Sequence, residues 1–213
     1  MNGFTSMKNV YIVGAGGLGK ELINLLKIDP AYGRDWNVLG FVDSREKMKG
    51  KEIDGFPVVG NENEVLITSS TEFVIAIGYM DIKKQIVQNL LKRDARFIST
   101  RTSCDIGDRT AIGNSVLMKN VMISVDCKIG DYVFIDAGVN VGHDVEIGNF
   151  THIGSGAFVA GKAKIGKGVT IHPRASIAQN ISIGDGAVIG LGAVVLKDVK
   201  ENQTVLGNPA RGI

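Results

Sequence analysis

From Leu117 to Val195 every sixth residue is aliphatic: Leu117, Ile123, Ile129, Ile135, Val141, Ile147, Ile153, Val159, Ile165, Ile171, Ile177, Ile183, Ile189 and Val195. A second column lies four residues after each of these from Ile123 onward, and it is small or β-branched throughout, from Cys127 and Val133 to Ala187 and Ala193. Chance does not fill fourteen consecutive sixth positions in a chain whose hydrophobic fraction is 44%. The period predicts a solenoid of short strands in which each hexapeptide forms one flat side and three close a triangular coil. Ile106-Gly107 and Ile112-Gly113 belong to the same pattern, shifted by one residue. Glycine directly follows seven of the aliphatic positions, and the 28 glycines, about 13% against an ordinary ~7%, are expected to relieve the backbone at the corners. The period alone does not set the handedness of the coil.

Before this region the grammar differs. Val10-Tyr11-Ile12-Val13, Val38-Leu39-Gly40-Phe41-Val42 and Phe73-Val74-Ile75-Ala76-Ile77 are continuous apolar runs, separated by segments with apolar residues at helical spacing. Such alternation predicts a small parallel α/β domain over residues 1–98, with the repeats over 99–200 and a tail over 201–213. A net charge of +2, with basic residues dispersed among acidic ones, argues against nucleic acid as partner. No run is long and apolar enough to span a bilayer, and the opening residues lack the basic and apolar regions of a signal peptide. Two cysteines are too few for a disulfide framework. A cytoplasmic location is expected.

Gly14-Ala15-Gly16-Gly17-Leu18-Gly19 follows a strand and opens a helix, the context in which backbone N–H groups meet a phosphate. Asp43 ends the next strand, where a ribose or base hydroxyl is commonly held. Fewer than a hundred residues accommodate about one mononucleotide-binding half, which disfavours NAD. Among the three histidines, His143, His152 and His172, no closely spaced pair stands ready for zinc, so no metal is expected. Cys127 falls in the inward column and reads as core.

The glycine loop, Phe41-Val42-Asp43, Ala76-Ile77-Gly78, the Gly142-His143-Asp144 corner, the repeats and the terminal Gly207-Asn208-Pro209-Ala210-Arg211 together resemble one group of proteins over the whole chain. These are the hexapeptide-repeat acetyltransferases that act on bacterial nucleotide-linked amino sugars, with the sialic-acid O-acetyltransferases among them. The resemblance implies a Rossmann-like α/β domain followed by a left-handed parallel β-helix, assembled as a homotrimer with acetyl-CoA in the groove between neighbouring helices. It implies His143 as the catalytic base, oriented by Asp144, and contacts to acetyl-CoA from His152, Pro173 and Leu191. It places the nucleotide sugar at Gly14, Ala15, Gly16, Gly17, Asp43, Ser44, Gly78 and Tyr79. Leu18 departs from the family, which often has histidine there.

The resemblance implies N-acetylation of a nucleotide-linked 4-amino-6-deoxy sugar; a neutral imidazole near pH 7 suits removal of a proton from the attacking group, and it serves an amine and a hydroxyl alike. O-acetylation of sialic acid or a related surface sugar, a non-catalytic sugar-nucleotide scaffold and an NAD-dependent oxidoreductase are the alternatives.

Overall fold

A computed structural model describes residues 7–213; residues 1–6, where the absence of a signal peptide was read, lie outside the described residues. The chain divides into two compact units, Met1–Ile98 and Ser99–Ile213.

In the first unit, β1 (Lys8–Val13) leads into α1 (Gly17–Lys27), followed by β2 (Trp36–Val42), β3 (Glu52–Ile53), β4 (Phe56–Gly60), β5 (Thr71–Ile75), α2 (Met80–Leu91) and β6 (Arg96–Phe97). The sheet order is β3-β4-β2-β1-β5-β6, parallel except for the β3–β4 hairpin. β5 is buried along its whole length, and both helices bury an apolar stripe (Leu22, Ile23, Leu25 and Leu26 on α1; Ile86, Val87 and Leu90 on α2). Burying such side chains stabilises by about 1.5–3 kcal/mol each. The third apolar run of the sequence leaves the sheet earlier than expected: Ala76 donates a last hydrogen bond to the Val13 carbonyl, and Ile77 and Gly78 turn away. Because β2 and β5 flank β1 on opposite sides, the chain reverses direction at the carboxyl ends of β1 and β5, where open α/β sheets form their crevices.

The second unit is a left-handed parallel β-helix. Its two-residue strands stack in three sheets with partners one coil apart, as in Met122↔Asn140, Asn140↔Phe158 and Phe158↔Ser176. The coil is therefore eighteen residues long, except at its start, where Asp105 pairs with Met122 and one residue is missing. All fourteen aliphatic positions point inward and are at most 4% exposed, and the second column from Cys127 to Ala193 shares that core. Beyond residue 200, Thr204–Leu206 adds a further parallel strand beside Val188–Ile189 and then pairs antiparallel with Arg211–Gly212.

The corners bear out the expectation about glycine in part: Gly138, Gly156, Gly168, Gly186 and Gly192 take the left-handed corner position, with φ between 62° and 70°. The left-handed backbone falls three residues after each aliphatic position from Leu117 to Ile189, and side chains occupy it as well as glycine: Tyr132, Asp144, Phe150, Lys162, Arg174 and Asn180 all have φ between 57° and 63°. The glycines directly after the aliphatic residues are not left-handed. They are required by crowding between coils: a Cβ on Gly142 would lie 2.6 Å from the Gly161 nitrogen, and one on Gly148 would lie 2.7 Å from the Gly166 carbonyl carbon.

Candidate active site

In the first unit, β1 ends at Gly14, whose φ of +109° favours glycine, and a Cβ there would also lie 2.6 Å from the Ala76 oxygen. A Cβ on Gly19 would run into the Gly14 carbonyl oxygen, so this glycine lets α1 close on the strand. Gly16 caps α1 without a side chain, and the first turn holds no acidic residue. The positive end of the helix dipole is therefore uncompensated by the protein.

This loop borders a cavity of about 370 Å³. Gly14, Gly16, Gly17, Asp43, Ser44, Gly78 and Tyr79 all line it, bringing together seven of the eight residues expected to bind substrate. The eighth, Ala15, is buried and instead donates its N–H to Asp43 Oδ2 at 2.9 Å. Leu18 lines the cavity as well.

Asp43 is more occupied than its position at a strand end suggests. Its Oδ1 accepts from the Arg45 backbone N–H at 3.0 Å and from Arg45 Nε at 2.8 Å, while Oδ2 accepts from Arg45 Nη2 at 2.7 Å as well as from Ala15. Burial pushes this carboxyl upward, but the guanidinium and the two backbone donors outweigh it and hold Asp43 below the ordinary carboxylate value. A ribose hydroxyl would have to share these lone pairs with Arg45. Arg45 itself and Glu62 also line the cavity, and neither was singled out from sequence. Arg45 sits three residues past the end of β2. Glu62 follows the short hairpin of β3 and β4, which the apolar pattern did not reveal.

In the second unit, His143 lies on the corner between the sheet that contains Asn140–Val141 and the sheet that contains Glu146–Ile147. Successive side chains along a strand point to opposite faces, yet Nδ1 of His143 meets Oδ2 of Asp144 at 2.7 Å. The left-handed backbone of Asp144, φ 58°, turns its carboxylate back toward the ring. Both side chains are about half exposed, at 56% and 49%. Donation from Nδ1–H to the carboxylate orients the imidazole and leaves Nε2 as the ring's proton-accepting atom. The ring lies over Gly161 one coil further on, so that a Cβ there would be 2.7 Å from Nε2. One coil earlier, Arg109 grips Asp126 through two 2.7 Å hydrogen bonds. The Arg109 hydrogen bond holds the Asp126 carboxyl below its ordinary value, and the nearby His143 adds to the same effect.

His152 starts the strand of Ile153 and stacks flat on Phe134, with centroids 5.2 Å apart and planes 3° from parallel. Pro173 and Leu191 meet at a third location, the corner after that sheet, where the Gly192 N–H donates to the Pro173 carbonyl at 3.0 Å. Leu191 is 72% exposed. Within one chain, then, His143 and the Pro173–Leu191 pair occupy different corners of the triangular coil. Both cysteine thiols are pushed up, by burial first, and neither is arranged as a nucleophile. Among the described residues no group of His, Cys, Asp or Glu side chains is placed to hold a metal ion.

An imidazole–carboxylate corner on a left-handed β-helix, with a glycine-loop cavity in a separate α/β unit, defines a transferase of the hexapeptide-repeat class. Residues 9–90 match the PglD N-terminal domain, and residues 126–161 and 162–197 match the bacterial transferase hexapeptide family of six repeats. The chain belongs to the bacterial hexapeptide-repeat acetyltransferases that carry a PglD-type N-terminal domain.

Among solved structures, the acetyltransferase domain of PglB from Neisseria gonorrhoeae, also solved in complex with acetyl coenzyme A, is 27% identical. That likeness covers 97% of this chain and 100% of that one, with a TM-score of 0.88. WeeI from Acinetobacter baumannii is 26% identical over 97% of this chain and 100% of its own, with a TM-score of 0.80. A mutant perosamine N-acetyltransferase from Caulobacter crescentus, in complex with CoA and GDP-perosamine, has a TM-score of 0.88 over 98% of both chains; at 24% identity the likeness is one of fold. No curated protein sequence matches the chain significantly.

Proposed function

We propose that this protein transfers the acetyl group of acetyl-CoA to the amino group of a nucleotide-linked 4-amino-6-deoxy sugar, in the cytoplasm, as a step toward a surface glycan. The observation that carries the reading is the 2.7 Å contact of His143 Nδ1 with Asp144 on an exposed corner, which leaves Nε2 able to accept a proton. An amine attacking a thioester must lose one proton, and a correctly held imidazole takes it at neutral pH. The nitrogen then bonds to the acetyl carbon, the C–S bond breaks, and the departing CoA sulfur takes the proton back from the imidazolium to leave as thiol. Backbone N–H donors stabilise the oxyanion that forms in between. Asp144 stabilises the imidazolium that results. No acyl-enzyme is formed in this scheme, since neither cysteine is activated.

Acetyl-CoA lies, on this reading, against His152, Pro173 and Leu191, and the nucleotide sugar against the cavity of the α/β unit. Because His143 and the Pro173–Leu191 pair sit along different corners of the β-helix, a neighbouring copy is needed to complete the site on this reading, which supports a homotrimer. Thiol release from acetyl-CoA, followed over a panel of UDP-, GDP- and dTDP-linked amino sugars and free sialic acid, tests the proposal. Release with a nucleotide amino sugar is expected. Release with free sialic acid alone would make the protein an O-acetyltransferase, and no release with any acceptor would leave a non-catalytic scaffold.

A further inference from the structure

Glu62 is a buried carboxylate on the wall of the cavity, 7% exposed, and the activity as read above gives it no task. Two contacts fix it in place. Asn89 Nδ2 donates to Oε1 at 3.1 Å, and the Arg93 guanidinium, from the residues just after α2, holds the Glu62 carbonyl and, at 2.7 Å, the Val65 carbonyl. Oε2 makes no hydrogen bond among the described residues. A carboxylate accepts up to about four hydrogen bonds, so this one arrives at the cavity with acceptor capacity to spare. Asp43, the other carboxylate there, has both oxygens doubly engaged by Arg45 and Ala15. The same cavity is lined in part by apolar side chains, Val42, Ile77, Ile82 and Ile86, which suit the faces of a planar ring.

We propose that Glu62 reads the base of the nucleotide, and that the base is guanine. The inference rests on the reading of this cavity as a nucleotide-sugar site. A carboxylate offers two acceptors side by side and no donor. Among common nucleobases, guanine alone presents two adjacent donors, N1–H and the 2-amino group. Uracil and thymine present a single N–H between two carbonyl oxygens, which a carboxylate repels. Adenine and cytosine present one amino group beside a ring acceptor. Pairing with guanine satisfies the open Oε2 and forms two charge-assisted hydrogen bonds, while every other base leaves part of a buried carboxylate unpaired.

The test is direct binding of GDP, IDP, UDP and dTDP to the full-length protein by calorimetry, with IDP differing from GDP only by loss of the 2-amino group. GDP is expected to bind about tenfold or more tightly than IDP and than either pyrimidine nucleotide. Glu62→Gln, with its fold checked by circular dichroism, is expected to erase the GDP-over-IDP preference while changing UDP affinity little. Equal binding of all four nucleotides overturns the assignment of guanine while leaving the nucleotide site intact; so does tighter binding of UDP. A guanine preference that survives in a folded Glu62→Gln variant removes Glu62 as its reader. Binding of none of the four overturns the nucleotide reading of the cavity itself, a different failure. The wild-type comparison of GDP with IDP needs no variant, so the proposal stays exposed even if Glu62→Gln does not fold.

Discussion

Replacing Gly161 with alanine puts a methyl group 2.7 Å from Nε2 of His143 and 2.9 Å from its Cε1, about 0.7 Å inside ordinary contact, which begins at 3.4 Å. Gly161 is not in the left-handed region, so alanine brings no backbone strain. What must yield is the outer end of an exposed ring, and rings at a surface move cheaply. The expected stability change is therefore within about 0.5 kcal/mol, the scale of ordinary surface substitutions. Catalysis has less tolerance. A ring displaced by several tenths of an ångström loses either its 2.7 Å contact with Asp144 or its aim at the acceptor, and misplacement near 1 Å costs up to about 10²-fold in rate. The variant should show a kcat for thiol release about 10–100-fold lower, with an unchanged melting transition and unchanged nucleotide affinity. If Gly161 acts through His143, the Gly161→Ala, His143→Ala double variant will be no slower than His143→Ala alone, since the two changes then remove the same interaction. Wild-type kcat in Gly161→Ala, or full additivity in the double variant, would refute this reasoning.

Two further predictions concern stability. Ile171→Ala, in the middle of the inward ladder and fully buried, should cost about 2–5 kcal/mol, because the coils above and below cannot collapse into the space; a denaturant titration checks this. Asp43→Asn should destabilise the α/β unit by about 1–3 kcal/mol at pH 7, through loss of charge-assisted bonds to Arg45. Because the folded carboxyl is held below its unfolded value, its contribution is present above the ordinary carboxylate pKa and fades as pH falls through the lowered one. The gap between Asp43→Asn and wild type should therefore narrow as the pH falls below the ordinary carboxylate value, and a gap that stays constant into acid would contradict the assignment.

The β-helix is legible in the sequence because each coil repeats one decision. An aliphatic residue at every sixth place is buried in every coil, so the pattern from Leu117 to Val195 has no exceptions. The role of glycine was read less well. Composition points to corners that need a left-handed residue, and Gly138, Gly156 and Gly168 do take that place, but so do Asp144, Phe150 and Lys162, while Gly142 and Gly148 serve the close approach of the next coil. Spacing between coils is a contact eighteen residues away, and a local reading does not register it. The cavity was half legible. Its glycine loop and Asp43 carry a local signature, while Glu62 depends on the hairpin of Glu52–Ile53 with Phe56–Gly60, whose two-residue first strand and internal Pro57 hide any alternation. Arg45 was overlooked because a lone arginine after a strand looks like solvated surface until its bidentate grip on Asp43 is seen.

His143 is where the account is most exposed, and the decisive measurement is the rate of thiol release by the folded His143→Ala variant with saturating acetyl-CoA and the best nucleotide amino sugar. The loss of a general base predicts a fall of about 10²–10⁴-fold with nucleotide affinity unaltered. Turnover within a few-fold of wild type would show that the proton leaves by another route and that the imidazole on this corner is an ordinary surface group.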